Sequence, residues 1–556
     1  MVPTDIGLPA KFERFWPLQL DKAIAIAGSP KRWVINSEPT GGGKSIISMT
    51  AINLMEGRAI YVTANKGLQE QLERDFGAIG LVDIRGQSNY PCRVLTEKYP
   101  GYHGCDKGPC HFGKACDLHP RSENYRPGCT FYDALKRASR ARLVVTNYDF
   151  LMSANRYMEP GVLGARDILV LDEAHESPDK LSDFCAVTLT SEDCDKWLRD
   201  TLPPVEDGVE AWVEWADKHR WTLESLAEWC RTEARHDEAR ECSTFIKKVE
   251  FLRTAHRWER AEPSEPTVQM PGLDTDWVGE RSEDRLAATF TPVWAHRYAE
   301  KFLFGGIKKV VLVSATITKQ TARYLGIPDS NLEFVEYPSS FHIERRPVYS
   351  VPTASIGRSS TEADYRAVVI RMDQIIDDRL DRKGIIMVNS YDMAFKLRQM
   401  SRHRNRMMWH KRDRLGPSSA TEVVRKFKSA PPGTILISPV VSTGYDFKYD
   451  QCEFIIIPKV PFIDLRPAVI KARARSDRKY VNYLAMLKII QQAGRGMRAA
   501  DDQCETFILD DNFGRWFLPS VRRDKLIAGW FAAAIKSVSL VPPPPPKLKI
   551  VAHGGY

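Results

Sequence analysis

Short apolar runs alternate with segments of helical spacing along most of this chain, in two separate stretches. The runs of the first stretch lie at 33–35, 59–62, 143–145, 168–171 and 310–313, and those of the second lie at 385–388, 435–437, 454–457 and 507–509. Runs this short and this apolar are typical of parallel strands that are buried on both faces. Helices between such strands indicate βαβ units. The 556 residues are enough for several domains, so the sequence predicts an α/β fold with two doubly wound parallel sheets.

Two segments interrupt the first stretch, and a third ends the chain. Residues 86–134 are rich in Cys, Gly and Pro, with few strand or helix signals. Residues 176–290 are charged and rich in Trp, with helical spacing and no strand runs. We therefore expect a small Cys-rich domain and a helical domain as insertions. Residues 542–546 are all proline, which predicts a polyproline II element in a loose terminus.

Composition narrows the class of protein. An apolar content of 43% with 27% charged residues is typical of globular chains and excludes a disordered one. Apolar runs are too short to span a bilayer, and residues 1–19 lack the apolar centre of a signal peptide. We therefore expect a cytoplasmic, nucleoid-associated protein with no membrane partner. The net charge of +9 permits a nucleic-acid groove without requiring one.

Residues 38–45 have the pattern of a phosphate-binding loop, Glu-Pro-Thr-Gly-Gly-Gly-Lys-Ser. The loop follows a strand-like run and precedes a helical segment, which is the context it requires. Consecutive glycines let backbone N–H groups curl around phosphates. Lys44 would reach the β- and γ-phosphates, and the Ser45 hydroxyl would bind Mg²⁺. Glu38 replaces the first glycine of the usual pattern, and its carboxylate lies either near the phosphates or turned away from them.

Two acids, Asp172 and Glu173, follow the apolar run 168–171. A strand that ends this way supplies one carboxylate for Mg²⁺ and one that orients and deprotonates the attacking water. We assign the metal role to Asp172 and the base role to Glu173. His175 is either a coupling residue at a domain interface or an ordinary surface histidine.

A pair of arginines, Arg495 and Arg498, lies in the segment Gln-Gln-Ala-Gly-Arg-Gly-Met-Arg at 491–498. Arginines three residues apart share one helix face. Such a pair can neutralise the charge on a phosphoryl group during its transfer. The plainer alternative is a solvated helix face.

Five of the 11 cysteines fall close together, at Cys92, Cys105, Cys110, Cys116 and Cys129. Thiolates at this density in a reducing compartment indicate a metal site. The gaps of 12, 4, 5 and 12 residues fit an iron–sulfur cluster held by four thiolates better than the close Cys pairs of a zinc site. Zinc and a metal-free domain stay open as alternatives, and the sequence does not identify the surplus cysteine.

Together these segments resemble the iron–sulfur helicases of superfamily 2, the XPD/DinG group. Further elements of the group's pattern follow in order along the chain, at 15–19, 63–71, 145–148, 314–316, 389–391, 442–446 and 459–462. The resemblance covers nearly the whole chain. It departs from the group's pattern at Ser37-Glu38, where the group usually carries Glu followed by a small or apolar residue.

The resemblance implies two RecA-like motor domains with ATP and Mg²⁺ between them, and a [4Fe–4S] cluster held by four of the five cysteines. Cys92 and Cys129 are its firmest ligands. Catalytic roles are implied for Lys44, Asp172, Glu173, Gln491, Arg495 and Arg498. ATP contacts are implied for Gln19, Thr40, Gly41, Gly42, Gly43, Lys44, Ser45 and Asp446, and Mg²⁺ contacts for Ser45 and Asp172.

The implied domains are interleaved along the chain. The first motor domain takes 1–85, 135–175 and 291–328, the iron–sulfur domain 86–134, the helical arch 176–290, the second motor domain 329–540 and the Pro-rich tail 541–556.

The implied function is that of an ATP-dependent 5′→3′ DNA helicase of the DEAH-box type, acting as a monomer on single-stranded and forked DNA. RNA–DNA hybrids are a further candidate substrate, and a phage-encoded or CRISPR-associated DinG-like protein fits the same residues. Two alternatives stay open: an ATP-driven remodeller of protein–nucleic-acid or RNA–DNA complexes, and a catalytically idle nucleic-acid-binding scaffold. The sequence does not separate DNA repair, R-loop or G-quadruplex resolution, phage replication and CRISPR interference, and it names no protein partner.

Basic residues cluster in the second half at 396–414 and 466–479, the first cluster together with Trp409. Such clusters either follow a phosphate backbone, with aromatic rings stacking on bases, or form a solvated face. Large aromatic side chains tend to be buried. The tryptophans of the second insertion are therefore expected to form a helical core rather than a base-stacking surface: Trp197, Trp212, Trp215, Trp221, Trp229 and Trp258.

Overall fold

The computed structural model describes residues 1–39, 41–64, 66–99, 101–112, 115–233, 236–260, 277–282, 286–339, 341–357, 359–409, 418–441, 445–497 and 502–546. The strands are β1 (Trp33–Ser37), β2 (Ala59–Thr63), β3 (Leu81–Asp83), β4 (Leu143–Asn147), β5 (Ile168–Asp172), β6 (Val187–Thr190), β7 (Trp277–Arg281), β8 (Ala287–Pro292), β9 (Lys309–Ser314), β10 (Leu332–Glu336), β11 (Val348–Ser350), β12 (Gly384–Met387), β13 (Met407–Met408), β14 (Ile435–Ser438), β15 (Phe454–Ile457), β16 (Glu505–Ile508) and β17 (Ile535–Ser537).

The α-helices are α1 (Gln19–Gly28), α2 (Lys44–Leu54), α3 (Lys66–Phe76), α4 (Arg93–Lys98), α5 (Thr130–Arg140), α6 (Tyr148–Tyr157), α7 (Ser177–Cys185), α8 (Ser191–Leu198), α9 (Gly208–Lys218), α10 (Arg220–Thr232), α11 (His236–Arg260), α12 (Lys319–Tyr324), α13 (Glu362–Asp377), α14 (Tyr391–Met400), α15 (Ser418–Lys428), α16 (Ala468–Ser476), α17 (Tyr480–Ala493), α18 (Leu518–Arg523) and α19 (Gly529–Ala532). Among the described helices, none combines the length and apolar character that crossing a membrane requires.

The first sheet has the strand order β10-β1-β9-β5-β2-β4-β3, and its neighbouring strands are parallel. Successive side chains of a strand point to opposite faces, so Val34 and Ile35 of β1 enter two different apolar cores. Helices cover both faces, which explains why these strands read as continuous apolar runs.

The second sheet repeats this construction with the order β13-β14-β12-β15-β16-β11-β17, again with parallel neighbours. Ile455 and Ile456 of β15 likewise enter two separate cores. The prediction of two doubly wound α/β domains is therefore confirmed.

A buried contact joins the two sheet domains. Trp294, which precedes β9, stacks on Tyr324 with ring centroids 4.3 Å apart, and its indole N–H donates to the Ser476 hydroxyl at 2.9 Å. Asp477 of the second domain accepts hydrogen bonds at 2.8 Å from the Gln320 amide and the Tyr324 hydroxyl. The two domains therefore meet across a polar and aromatic junction.

The second insertion contains strands that the sequence does not predict. β6, β8 and β7 form an antiparallel sheet in that order, beside α8 to α11. β8 has the sequence Ala-Ala-Thr-Phe-Thr-Pro and buries alternate residues only. Its small and hydroxylated side chains give no apolar run, which is why the expectation of a segment without strands was wrong.

Two further expectations about this chain differ from the structure. β10 pairs with β1 in the first sheet, although the predicted boundary of the first motor domain lies at residue 328. Its sequence Leu-Glu-Phe-Val-Glu suits an edge strand and gives no continuous apolar run. The proline tail is not loose over its described part, because Arg379 donates to the Pro542 carbonyl at 3.1 Å and Arg382 donates to the Pro545 carbonyl.

The buried ion pair of Arg379 and Glu505 predicts a large loss of stability when one partner is neutralised. Both side chains are 0% exposed, and two guanidinium nitrogens lie 2.7 and 2.9 Å from the carboxylate oxygens. We expect Glu505→Gln to lower the free energy of unfolding by about 3–5 kcal/mol, because Arg379 stays buried without its counter-ion. Urea denaturation followed by circular dichroism measures this loss.

An exposed pair provides the matched control. Lys426 and Glu422 lie 2.7 Å apart on α15, with side chains 57% and 54% exposed. Glu422→Gln should change the free energy of unfolding by less than about 1 kcal/mol, because water replaces the lost partner. Equal effects of the two substitutions would contradict the importance of the buried pair.

Candidate active site

The carboxyl ends of three neighbouring strands bring the candidate residues together. β1, β9 and β5 are adjacent in the first sheet and parallel. They end in the phosphate loop, at Ser314 and at Asp172, respectively. Ligand sites of open α/β sheets lie at this edge. Segments that are far apart in the sequence therefore meet at one place.

The phosphate loop has the backbone that its glycines permit. Gly41 and Gly43 have φ angles of +80° and +84°, which residues with a Cβ rarely adopt. Gln19 supports the loop from α1, where its amide donates to the Gly42 carbonyl at 3.0 Å and accepts from the Trp16 N–H at 2.9 Å. The predicted ATP contact Thr40 lies outside the described residues.

Glu38 is buried beneath the loop. Its carboxylate accepts a hydrogen bond from the Lys22 ammonium at 2.6 Å, and the two side chains are 0% and 1% exposed. Burial raises the pKa of Glu38, and the charge of Lys22 acts in the opposite direction. This burial against Lys22 of α1 favours the second of the two positions that the sequence left open, in which the carboxylate is turned away from the phosphates.

The acid pair lies opposite the first turn of α2. The Lys44 ammonium is 2.6 Å from one carboxylate oxygen of Glu173, and the Glu173 backbone donates to the Asp172 carboxylate at 2.9 Å. Burial raises the pKa of Asp172 to about 6, partly opposed by Lys44. Burial also acts to raise the pKa of Glu173. The charge of Lys44 and the contact between Glu173 and His175 outweigh burial and hold that pKa well below its usual range.

Ser45 and the acid pair share a neighbour in Tyr61 of β2. This tyrosine is buried beside Ser45 and Asp172, and burial together with that carboxylate holds its pKa well above the usual range. The predicted Mg²⁺ contacts Ser45 and Asp172 are thus gathered around one phenol side chain.

A path of hydrogen bonds runs from the acid pair to the second sheet domain. The Ser314 hydroxyl donates to Glu173 at 3.2 Å and lies 2.7 Å from His175 Nδ1. His175 Nε2 is 2.7 Å from the Gln491 amide nitrogen. Because that amide nitrogen can only donate, Nε2 accepts, so Nδ1 carries the proton and donates to Ser314. His175 therefore lies between Ser314 of the first domain and Gln491 of the second, which is the position expected of a coupling residue.

The segment that contains Gln491 reaches the loop from the second domain. Arg495 donates to the Tyr445 carbonyl at 3.1 Å and lies 3.3 Å from the Asp446 carboxylate. Pro39, Gly494 and other residues of both domains line a shared apolar pocket. The predicted residues Arg498, Ser442, Thr443 and Gly444 lie outside the described residues.

The five clustered cysteines come close together. Cys105 lies beside Cys92 and Cys129 and lowers the pKa of each to about 6, while burial raises the pKa of Cys110, which lies beside Cys116, to about 12. Within the described part of the chain, no group of three or more His, Cys, Asp or Glu side chains could hold a single metal ion. The pKa values of Cys92 and Cys129 are lowered and those of Cys105 and Cys110 are raised, so these values support thiolate ligation of an iron–sulfur cluster at Cys92 and Cys129 only.

A groove of about 1010 Å³ lies between the Cys-rich segment, α6 and α11. Basic side chains on its walls outnumber acidic ones, five to three: Lys66, Arg121, Arg156, Lys247 and Lys248 against Asp106, Asp149 and Glu159. The Arg156 guanidinium lies 3.4 Å from the ring centroid of Phe251 and 4.6 Å from that of Tyr157. Positive charge beside aromatic rings is the chemistry that binds single-stranded nucleic acid.

Some side chains of the basic clusters on the second domain make contacts within the protein. Arg473 is buried at the domain junction, where its guanidinium donates to the Val293 carbonyl at 2.6 Å and lies 2.7 Å from Asp179. Neither alternative given for the 466–479 cluster, a phosphate-backbone contact or a solvated face, therefore fits Arg473, because its protein partners come from distant segments. Arg406 donates to the carbonyl groups of Gly433 and Leu380. Lys411, Arg412 and Arg414 lie outside the described residues.

Burial of the tryptophans in the second insertion varies. Trp212 and Trp215 are buried, whereas Trp221 is 74% exposed. The side chain of Trp258 lies outside the described residues.

Lys22 and Trp530 are among the residues of the site that were not predicted from the sequence. Lys22 binds Glu38, and its position three residues after Gln19, on the same helix face, is a signal that could have identified it. Trp530 of α19 donates its indole N–H to the Ala315 carbonyl at 3.2 Å. No sequence pattern indicates that contact, because it depends on how the C-terminal helices fold back across the junction.

Comparisons with known proteins agree with this geometry. Residues 376–524 match the family of helicase C-terminal domains, and residues 20–197 match the res subunit of type III restriction enzymes. A comparison with curated proteins finds no match.

Solved structures share the fold over almost the whole chain. An XPD helicase has a TM-score of 0.56 at 14% identity, with 94% of this chain and 98% of its own covered. S. tokodaii Xpd4 has a TM-score of 0.52 at 12% identity, with 94% and 99% covered, and an apo XPD has 0.50 at 11%, with 94% and 100% covered. The fold is therefore that of XPD helicases, and the matched domains support a nucleic-acid helicase or ATPase.

The hydrogen-bond path predicts a selective effect of Ser314→Ala. This change removes the hydroxyl that bridges Glu173 and His175, but leaves their direct contact of 3.4 Å between Oε2 and Nδ1 and the contact between Lys44 and Glu173 intact. We expect ATP turnover stimulated by single-stranded DNA to fall by about tenfold, the order of effect of one lost positioned contact, with unchanged nucleotide affinity. Steady-state ATPase assays with and without DNA measure this, and an equal fall of basal and stimulated turnover would contradict it.

Proposed function

We propose that the protein is an ATP-dependent 5′→3′ DNA helicase of superfamily 2, a DEAH-box enzyme of the iron–sulfur XPD/DinG group. The observation that carries this proposal is the continuous path from Lys44 through Glu173, Ser314 and His175 to Gln491. The path links the phosphate loop of one sheet domain to the other. A motor that turns ATP hydrolysis into domain movement needs such a link.

In the proposed reaction, a water oxygen attacks the γ-phosphorus of ATP while Glu173 accepts the water proton. The bond from that phosphorus to the bridging oxygen breaks, and ADP leaves with the electron pair. Lys44 and Arg495 stabilise the charge on the phosphate oxygens. Mg²⁺, held by Ser45 and Asp172, would supply further neutralisation of that charge.

The pair of Lys44 and Glu173 gives this reaction an order of events. Their 2.6 Å contact occupies the proposed base. Phosphates arriving at the loop would attract the Lys44 ammonium and release the Glu173 carboxylate to accept a proton. Glu173 would then accept a proton only while the phosphates hold Lys44.

We further propose that four of the five clustered cysteines hold a [4Fe–4S] cluster, with Cys92 and Cys129 among them. The contacts of both with the Cys105 thiol and their lowered pKa values support thiolate character. The cluster would act as a structural clamp for a segment whose described residues contain α4 and the start of α5 as their α-helices. The fifth cysteine would be free.

The groove between the Cys-rich segment, α6 and α11 is the proposed path of single-stranded DNA, and RNA–DNA hybrids are a further candidate substrate. Its excess of basic side chains and the rings beside Arg156 support this. The polarity of movement and the monomeric state are carried over from the resemblance to XPD and DinG helicases. Phage-encoded and CRISPR-associated roles belong to the same proposal.

The proposed activity predicts that ATP hydrolysis depends on Lys44. We expect Lys44→Ala to lower ATP turnover by at least about a hundredfold, because a positioned charge on the phosphates is lost, while DNA affinity in the groove is kept. Strand displacement on duplexes with a 5′ or a 3′ tail should occur with the 5′ tail only. Arg366→Ala on the exposed face of α13 is the control for nonspecific loss of charge.

Two results would overturn this assignment. Retained ATPase activity in the Lys44 variant would mean that the nucleotide site lies elsewhere. ATP turnover stimulated by single strands without displacement from either duplex would favour a remodelling translocase instead.

The proposed cluster predicts a brown protein with about four iron atoms per chain after anaerobic purification. Cys92→Ser and Cys129→Ser should each lose the visible absorbance and the iron, because a ligand is missing. Cys185→Ala, a buried cysteine of α7, should keep both. A colourless protein with stoichiometric zinc would show that the thiols hold another metal.

A further inference from the structure

The middle glycine of the phosphate loop needs an explanation that its neighbours do not. Gly41 and Gly43 have positive φ angles, so their backbone requires glycine. Gly42 has an ordinary backbone conformation that any residue can adopt. Some other constraint must exclude a side chain at position 42.

That constraint is the buried carboxylate of Glu38. A Cβ built on Gly42 would overlap the Glu38 Oε1 atom and lie 2.8 Å from its Cδ. A carboxylate at the end of a flexible side chain could normally swing away. Here it cannot do so cheaply, because Glu38 is fully buried and its other oxygen is held by Lys22 at 2.6 Å.

Lys22 and Gln19 hold the loop from the same face of α1. Gln19 donates to the Gly42 carbonyl, and Lys22 binds Glu38, one turn further along the helix. The Glu38 backbone also donates to the Ser314 carbonyl at 3.2 Å, which ties the start of the loop to β9. Burial that raises the pKa of Glu38 makes the charge of Lys22 more important for keeping the carboxylate ionised.

We infer that Lys22, Glu38 and Gly42 form one positioning unit of the phosphate loop, in which glycine at position 42 makes room for the buried carboxylate. The unit replaces the small residue that such loops usually carry at the position of Glu38. It sets the height of the Gly42 backbone above α1, and thereby the direction of the loop N–H groups. This inference rests on the proposed function only in assigning that loop to a nucleotide.

A double-mutant cycle in the full chain tests the unit. Gly42→Ala alone should lower the melting temperature and raise the Kd of a fluorescent ATP analogue by about tenfold, a usual size for coupling between touching residues. In the Glu38→Ala background the same change should raise that Kd by less than about threefold, because the space is then free. Glu38→Gln keeps the volume of the side chain, so it should not relieve Gly42→Ala.

Gly43→Ala is the matched control. Its loss of affinity should persist in the Glu38→Ala background, because the positive φ angle of position 43 resists any Cβ. Lys22→Met should lower the melting temperature, and Glu38→Gln should restore it, because the buried charge is then removed together with its partner.

The outcomes separate the inference from the proposed function. If Gly42→Ala is harmless, or if Glu38→Ala does not relieve it, the positioning unit is wrong even when the wild type hydrolyses ATP. Glu38→Ala could relieve the effect of Gly42→Ala on the melting temperature but not its effect on the Kd. The three residues would then stabilise the loop without positioning it for a nucleotide, and the inference would fail. A wild-type chain that binds no ATP analogue overturns both.

Discussion

The hydrogen-bond path from Glu173 through Ser314 and His175 to Gln491 connects the candidate active site of the first sheet domain to the second sheet domain. It exists because β1, β9 and β5 are adjacent and parallel, so that their carboxyl ends meet. The direction of its hydrogen bonds follows from the Gln491 amide nitrogen, which donates and so makes His175 Nε2 an acceptor and Nδ1 a donor. Direct contacts therefore connect Glu173 to the second sheet domain.

Buried charges hold the surroundings of this path in one arrangement. Lys22 with Glu38, Arg379 with Glu505, and Arg473 at the domain junction are all nearly inaccessible to solvent. Such pairs add little net stability, since burying them costs desolvation energy, but removing one partner is strongly destabilising. They specify which elements meet: α1 with the phosphate loop, the proline tail with the second sheet, and α16 with α7.

The sequence predicts the strands and site segments that have a continuous local pattern. It does not predict features that depend on contacts between distant segments. The apolar runs identify the central strands. The loop, the acid pair and the 491–498 segment predict residues whose described members the structure brings together, because each is a continuous pattern. β8 and β10 are missed because half-buried and edge strands lack such runs. Arg473 looks like a surface residue until Val293 and Asp179, from distant segments, are brought to it. The pairing of Glu38 with Lys22 also depends on tertiary structure.

The most direct test measures whether nucleotide binding moves the two sheet domains relative to each other through this path. Dyes attached at Ile24 on α1 and Ile370 on α13, which are 50% and 60% exposed, report that movement by energy transfer. We predict that an ATP analogue with single-stranded DNA shifts the transfer efficiency, and that Gln491→Ala abolishes the shift while nucleotide still binds. The same efficiency in every nucleotide state of the wild type would contradict this prediction.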